Sequence, residues 1–140
     1  MFKLVKILNS GVNVPEPCRM AIADNTVIKP GSALSLSNGK LTNCPAGTIP
    51  SYISIQGSEC AKDGTILCYE IFENMLFEAT AYSFVPAISA GYNVALYRDA
   101  EGSAVGIDME GNEACATVVD TCGAAKAGDK ITVKFKNHIG

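Results

Sequence analysis

Short β-strands separated by tight turns are what this 140-residue sequence predicts, and the expected fold class is all-β, a small barrel or sandwich. Three observations carry that reading. The 13 glycines and 6 prolines interrupt the chain too often for long helices. The runs between them are rich in Val, Ile, Thr, Tyr and Phe, the residues that fit a pleated, half-buried surface. Lys130-Ile131-Thr132-Val133-Lys134-Phe135-Lys136 alternates strictly, which puts Ile131, Val133 and Phe135 on one face and Lys130 and Lys134 on the solvated one.

Taken in order, Phe2–Leu8 is apolar apart from Lys3 and Lys6, and reads as a first strand or as an extended arm continuing through Asn9–Pro17, where Pro15 and Pro17 oppose helix. The domain proper is expected over 18–140. Ala33–Ser37 and Lys40–Asn43 flank Asn38-Gly39, a two-residue hairpin signal because both turn residues tolerate positive φ. Tyr52–Gln56, Asn93–Arg98 and Ala114–Thr121 read as further strands. Thr65–Val85 contains no Gly or Pro and could line a helix face with Ile66, Tyr69, Phe72, Met75, Leu76 and Ala79. The alternation of Leu67, Tyr69 and Ile71, and of Phe77, Ala79 and Ala81, instead favours two strands around Glu73-Asn74.

A weak repeat links these elements. Pro30-Gly31-Ser32-Ala33-Leu34, Ala90-Gly91-Tyr92-Asn93-Val94 and Ala127-Gly128-Asp129-Lys130-Ile131 share the form small residue, Gly, two variable residues, aliphatic, with Ala46-Gly47-Thr48-Ile49 as a shortened relative. The Gly is expected to take a left-handed turn, and the aliphatic residue to be the first inward position of the next strand.

A net charge of -3 and a sequence pI of about 5.1 argue against a nucleic-acid surface, which needs clustered cations. The nearest thing to a cluster is Lys126, Lys130, Lys134 and Lys136, of which Lys130, Lys134 and Lys136 would share one solvated strand face. Met1–Leu8 meets Asn9-Ser10-Gly11 too soon for a secretory leader, and no window approaches a membrane span, so no membrane partner and a cytoplasmic site of synthesis are expected. Cys18, Cys44, Cys60, Cys68, Cys115 and Cys122 form no C-x-x-C pair, and in a reducing compartment they are expected to be mostly free and buried.

Catalytic constellations are missing from the sequence. His138, two residues from the end, is the single histidine, which leaves a cysteine nucleophile without a well-placed base. There is no G-x-S-x-G elbow, Walker A loop or G-x-G-x-x-G fingerprint. Asp99, Glu101, Asp108, Glu110 and Glu113 cluster around glycines but do not follow the EF-hand series and read as turn acids. Lys40, just after a hairpin Asn-Gly, is similar in setting to the hairpin lysine that biotinyl and lipoyl carriers modify, yet Asn38-Gly39-Lys40-Leu41 lacks their characteristic hydrophobic neighbours such as methionines. No catalytic residue, cofactor or metal is expected.

Ile28-Lys29-Pro30-Gly31-Ser32-Ala33-Leu34-Ser35-Leu36, Asn38-Gly39-Lys40-Leu41 and Pro45-Ala46-Gly47-Thr48-Ile49-Pro50-Ser51-Tyr52-Ile53 occur in an order that resembles the small capsid decoration (cement) proteins of tailed bacteriophages. Ala90-Gly91-Tyr92-Asn93-Val94-Ala95-Leu96-Tyr97 and Ala127-Gly128-Asp129-Lys130-Ile131-Thr132-Val133 continue the likeness. Gly102-Ser103-Ala104-Val105-Gly106-Ile107 is similar to a piece of the head-decoration proteins of lambda-like phages. The resemblance implies a β-tulip-like barrel, a homotrimer and attachment to the major capsid protein on the outside of the shell. It also implies partner contact through an N-terminal arm, with Phe2, Leu4, Val5, Ile7 and Leu8 as the contact residues. The alternatives are a small-molecule-binding or carrier module, and a tail or baseplate component.

Overall fold

A computed structural model of the chain describes residues 1–8, 16–45, 47–60 (Cys60 by its backbone alone), 62–72, 74–86, 90–109, 114–121, 123 and 126–136. Among these residues there are 13 strands and no helix, as the sequence predicts. They are β1 (Phe2–Ile7), β2 (Cys18–Ala21), β3 (Thr26–Ile28), β4 (Ala33–Ser37), β5 (Lys40–Asn43), β6 (Tyr52–Ser54) and β7 (Ser58–Cys60). The second half contributes β8 (Thr65–Glu70), β9 (Met75–Thr80), β10 (Asn93–Arg98), β11 (Ala104–Asp108), β12 (Ala114–Asp120) and β13 (Lys130–Phe135).

Eleven strands form one antiparallel sheet in the order β1-β9-β13-β12-β10-β11-β4-β6-β8-β2, with β5 on β4, while β3 and β7 make a separate ribbon. Among the described residues no ladder pairing joins β1 to β2, the two ends of this order. Each half is brought round on itself by a single parallel bridge. Ala81 beyond β9 bridges Ile107 of β11, where the Tyr82 amide donates to the Ile107 carbonyl at 3.0 Å. Ile22 beyond β2 bridges Leu41 of β5, where the Ala23 amide donates to the Leu41 carbonyl at 2.9 Å.

The core falls into two clusters, and the larger one crosses from β11 to β4 to take in Ala33, Cys44 and Ile53 of the other half. The larger cluster holds Phe77, Ala79, Val94, Ile107, Val118, Ile131, Val133 and Phe135 among others, and Phe135 meets Phe2 and Phe77 at ring-centroid distances of 5.2 and 5.4 Å. The smaller one is built from Ile22, Ile28, Leu34, Leu41, Ile66 and Cys68. Ile131, Val133 and Phe135 are buried and Lys130 is exposed as expected, but Lys134 is only half-exposed because β12 and β9 flank β13 on both sides.

Thr65–Val85 forms two strands, β8 and β9, rather than a helix, and they are not a hairpin: β8 pairs β6 and β2, whereas β9 pairs β1 and β13. Local alternation could show the strands but not that they enter different halves. The repeated turn behaves as its chemistry requires. Gly31, Gly91 and Gly128 have φ of 67, 89 and 95°, and the aliphatic residues three positions later, Leu34, Val94 and Ile131, are buried. Asn38 and Gly39, at φ 52 and 78°, close the β4–β5 hairpin with Ser37 opposite Lys40.

Gly106 is needed for a different reason. Tyr82 stacks on Tyr97 with centroids 3.9 Å apart and planes within 9°, and a Cβ on Gly106 would run into the Tyr82 ring and lie 2.5 Å from the Thr80 carbonyl oxygen. Gly106→Ala should therefore lower unfolding free energy by about 1–3 kcal/mol in urea titrations, as overpacking does. In a Tyr82→Ala background the cost should shrink without vanishing, since the backbone collision with Thr80 stays. An unchanged cost in that background would show that the ring does not set the constraint.

Candidate interaction surface

The five residues expected to contact a partner lie on or just beyond β1, the end strand of the large sheet. Of the two readings that the sequence left open for this segment, Phe2–Ile7 takes that of a strand of the domain; residues 9–15 lie outside the described residues. Phe2 is 2% exposed, with its ring against Phe135. Leu4 and Ile7 are half-buried and pack on the large core, and Leu8 is held by backbone pairing, its amide donating to the Asn74 carbonyl at 2.7 Å. Val5 alone of the five is largely free, at 48% exposure. A bulge explains the split. Leu4 pairs with Phe77 and Lys6 with Leu76, so Val5 has no opposite residue and the inward parity changes from Phe2 and Leu4 to Ile7.

Other exposed apolar side chains lie between the strands, at Phe72, Phe84 and Tyr92, and near the end of β12, at Val119. Phe84 is 62% exposed, Phe72 and Tyr92 both 53%, and Val119 40%. Tyr92 and Val119 belong to neighbouring backbone, since the Val118 amide donates to the Tyr92 carbonyl at 2.9 Å. The available signal was position: Tyr92 is a variable residue of the repeated turn, and Phe84 stands outside any alternating run.

One electrostatic feature ties distant turns together. Lys29 Nζ lies 2.5 Å from Asp99 Oδ2 and 3.4 Å from Glu101 Oε2. The Lys29 ammonium, helped by the backbone amides of Ser103 and Glu101, holds the Asp99 carboxyl below its usual range, and Asp99 in turn raises Lys29. The turn acid expected to be merely solvated is thus a turn cap and an ion-pair partner; Glu110 and Glu113 lie outside the described residues. A shallow groove of about 320 Å³ beside it is lined by Val27, Lys29, Pro30, Ser58, Glu59 and Glu101. No group of three or more His, Cys, Asp or Glu positioned for a metal occurs among the described residues, and His138 is outside them. Lys40 lies 3.8 Å from Asp24, an exposed pair of small energetic weight.

Cys44, Cys68 and Cys115 are buried free thiols and Cys18 is a half-buried one, in line with the sequence, while the Cys122 side chain and that of Cys60 lie outside the described residues. Burial pushes the Cys44 thiol up to about 11, and the Cys68 and Cys115 thiols up to about 12.

No family model and no curated protein sequence matches the chain. Among solved structures it is similar to the head fiber gp8.5 N base of bacteriophage phi29, with a TM-score of 0.55 and 13% identity, over 86% of this chain and 94% of that one. At that identity the likeness is one of fold, and it spans both halves of the sheet.

Two outcomes follow from the geometry. Phe2→Ala should cost about 3–5 kcal/mol of stability and Val5→Ala less than about 0.5, read from paired denaturant curves; equal costs would contradict the bulge. The raised thiols contribute stability fully present below the unfolded thiol value near 9.0, because the folded state keeps protons that the unfolded chain then releases. That contribution should be lost as pH rises from about 9 through 11–12, and substituting Cys115 by Ala should flatten this alkaline limb.

Proposed function

We propose that this chain is a structural virion protein of a tailed phage, which binds the major capsid protein on the outside of the shell as a homotrimer, stabilises the particle and catalyses nothing. The observation that carries the reading is the fold shared with the phi29 head fiber base over nearly the whole chain. The ordered sequence resemblance to capsid decoration proteins supports the same reading independently. Synthesis in the bacterial cytoplasm, followed by residence on the capsid surface, is part of the proposal, and neither nucleic acid nor membrane has a role in it.

Cementing needs no single strong site. Repeated contacts at every capsid junction add through multivalency, so modest apolar patches suffice. The contact residues proposed here are Val5, the exposed member of the first strand, with Phe84 and Tyr92 on the turns. Aromatic side chains of that kind supply large contact area at little entropic cost and dominate interface energetics.

A second reading, favoured by the fold shared with the phi29 head fiber base, makes the chain the base of a head appendage. Mixing the purified protein with expanded, undecorated cognate capsids separates the two. Cementing predicts co-sedimentation and a higher thermal midpoint of the particles, both weakened at least fivefold in apparent affinity (about 1 kcal/mol) by Phe84→Ala with Tyr92→Ala. Binding without a gain in particle stability would favour the appendage base. No binding at all would overturn both and leave the ligand-binding alternative.

A further inference from the structure

Cys18 of β2 and Cys68 of β8 are direct cross-strand partners, and their Sγ atoms are 3.8 Å apart. Each thiol also reaches the other residue's carbonyl oxygen at 3.5 Å, so the two side chains lean across the same strand pair toward each other. Directly opposed residues of an antiparallel pair have Cα atoms about 4.5–5.5 Å apart, inside the window of about 4.4–6.8 Å that a disulfide spans. Bringing the sulfurs to bonding distance needs about 1.8 Å of approach. β2 can supply it, because it is the end strand of the ladder and β8 is its ladder neighbour. Access is asymmetric: Cys68 is fully buried, whereas Cys18 is half-exposed beside the exposed Arg19.

We propose that Cys18 and Cys68 form a reversible redox staple, oxidised by small-molecule disulfides of the glutathione class. The Cys18 thiol loses its proton and attacks one sulfur of the small disulfide, giving a mixed disulfide on Cys18 and releasing one small thiol. The Cys68 thiol then loses its proton and attacks the Cys18 sulfur, and the second small thiol leaves. The protein loses two hydrogens and two electrons, and the small disulfide is reduced to two thiols. The new bond ties β2 to β8 across a 50-residue separation in sequence, a closure that restricts the unfolded chain substantially. The chemistry stands on this geometry whatever the chain binds. Its biological consequence rests on the virion reading: the staple is open in the reducing cell and closes when the particle reaches an oxidising medium.

The test uses the full chain, reduced and then equilibrated with oxidised and reduced glutathione at a series of ratios. The expected result is an intact mass lower by two hydrogens, a non-reducing peptide map joining the Cys18 and Cys68 peptides, and a thermal midpoint higher by about 5–10 °C. Reductant should reverse all three, and Cys18→Ser should abolish them while leaving the reduced midpoint close to that of the parent. An unchanged mass under oxidising ratios would overturn the proposal. So would a bridge joining any other pair of cysteines, or a mixed disulfide that persists on Cys18 without resolution. The mass and map of the parent chain decide the matter even if a variant folds poorly.

Discussion

Among the described residues the sheet ladder passes from one half of this molecule to the other through a single paired position, Ala33 of β4 opposite Ala104 of β11. Both are fully buried, and each carries the smallest side chain that still alternates, so the two backbones can approach where the large and small cores abut. Everything around that junction braces it. Lys29 and Asp99, on the turns leading to and from it, form the shortest ion pair described. Inside it, the Ser54 hydroxyl donates to the Lys29 carbonyl at 2.7 Å and accepts from the Ser32 amide at 3.0 Å, while Ser32 Oγ donates to the same carbonyl at 2.8 Å. These serines are buried, and their mutual bonding removes the desolvation cost that unpaired hydroxyls would carry. Gly31 completes the brace, since its carbonyl accepts the Phe2 amide at 2.7 Å and fixes the start of β1 against the junction.

This arrangement explains why the first strand is structural. Phe2 is set at the junction by its backbone and in the large core by its ring, so Phe2–Leu4 cannot leave without opening both. Phe2, Leu4 and Ile7, three of the residues expected to contact a partner, turn toward the large core. Their apolar side chains cover β9 at the end of the ladder.

How much of this could be read from the sequence depends on range. Features set within a few residues were legible: the Asn38-Gly39 hairpin, the left-handed glycines at positions 31, 91 and 128, and the alternation of Lys130–Phe135. Each is fixed by local sterics or by a period of two. Features set by pairing partners were not. Nothing near Thr65–Val85 says that β8 and β9 belong to different halves, and nothing near Lys29 names a carboxylate 70 positions away. The bulge at Val5 was hidden for a related reason: Phe-Lys-Leu-Val-Lys-Ile fits strict alternation for three residues and then departs from it, and only the register against β9 shows where the extra residue falls. The candidate surface was the least legible part, because an apolar side chain in a one-dimensional sequence looks the same whether it faces a core or a partner.

The position of charge at the open edge bears on which surface can bind. A partner adding a strand to β1 would need a flat, accessible row of backbone groups. Lys3 and Lys6 are exposed there and the bulge at Val5 interrupts the row, two of the devices by which proteins keep end strands from pairing with strangers. On the proposed reading, in which many copies gather on one shell, an unprotected edge would join them through their sheets before they met their target. Exposed aromatics on turns avoid that hazard. Phe84 and Tyr92 offer apolar area away from the open end strand, which suits them to the contact role proposed for them.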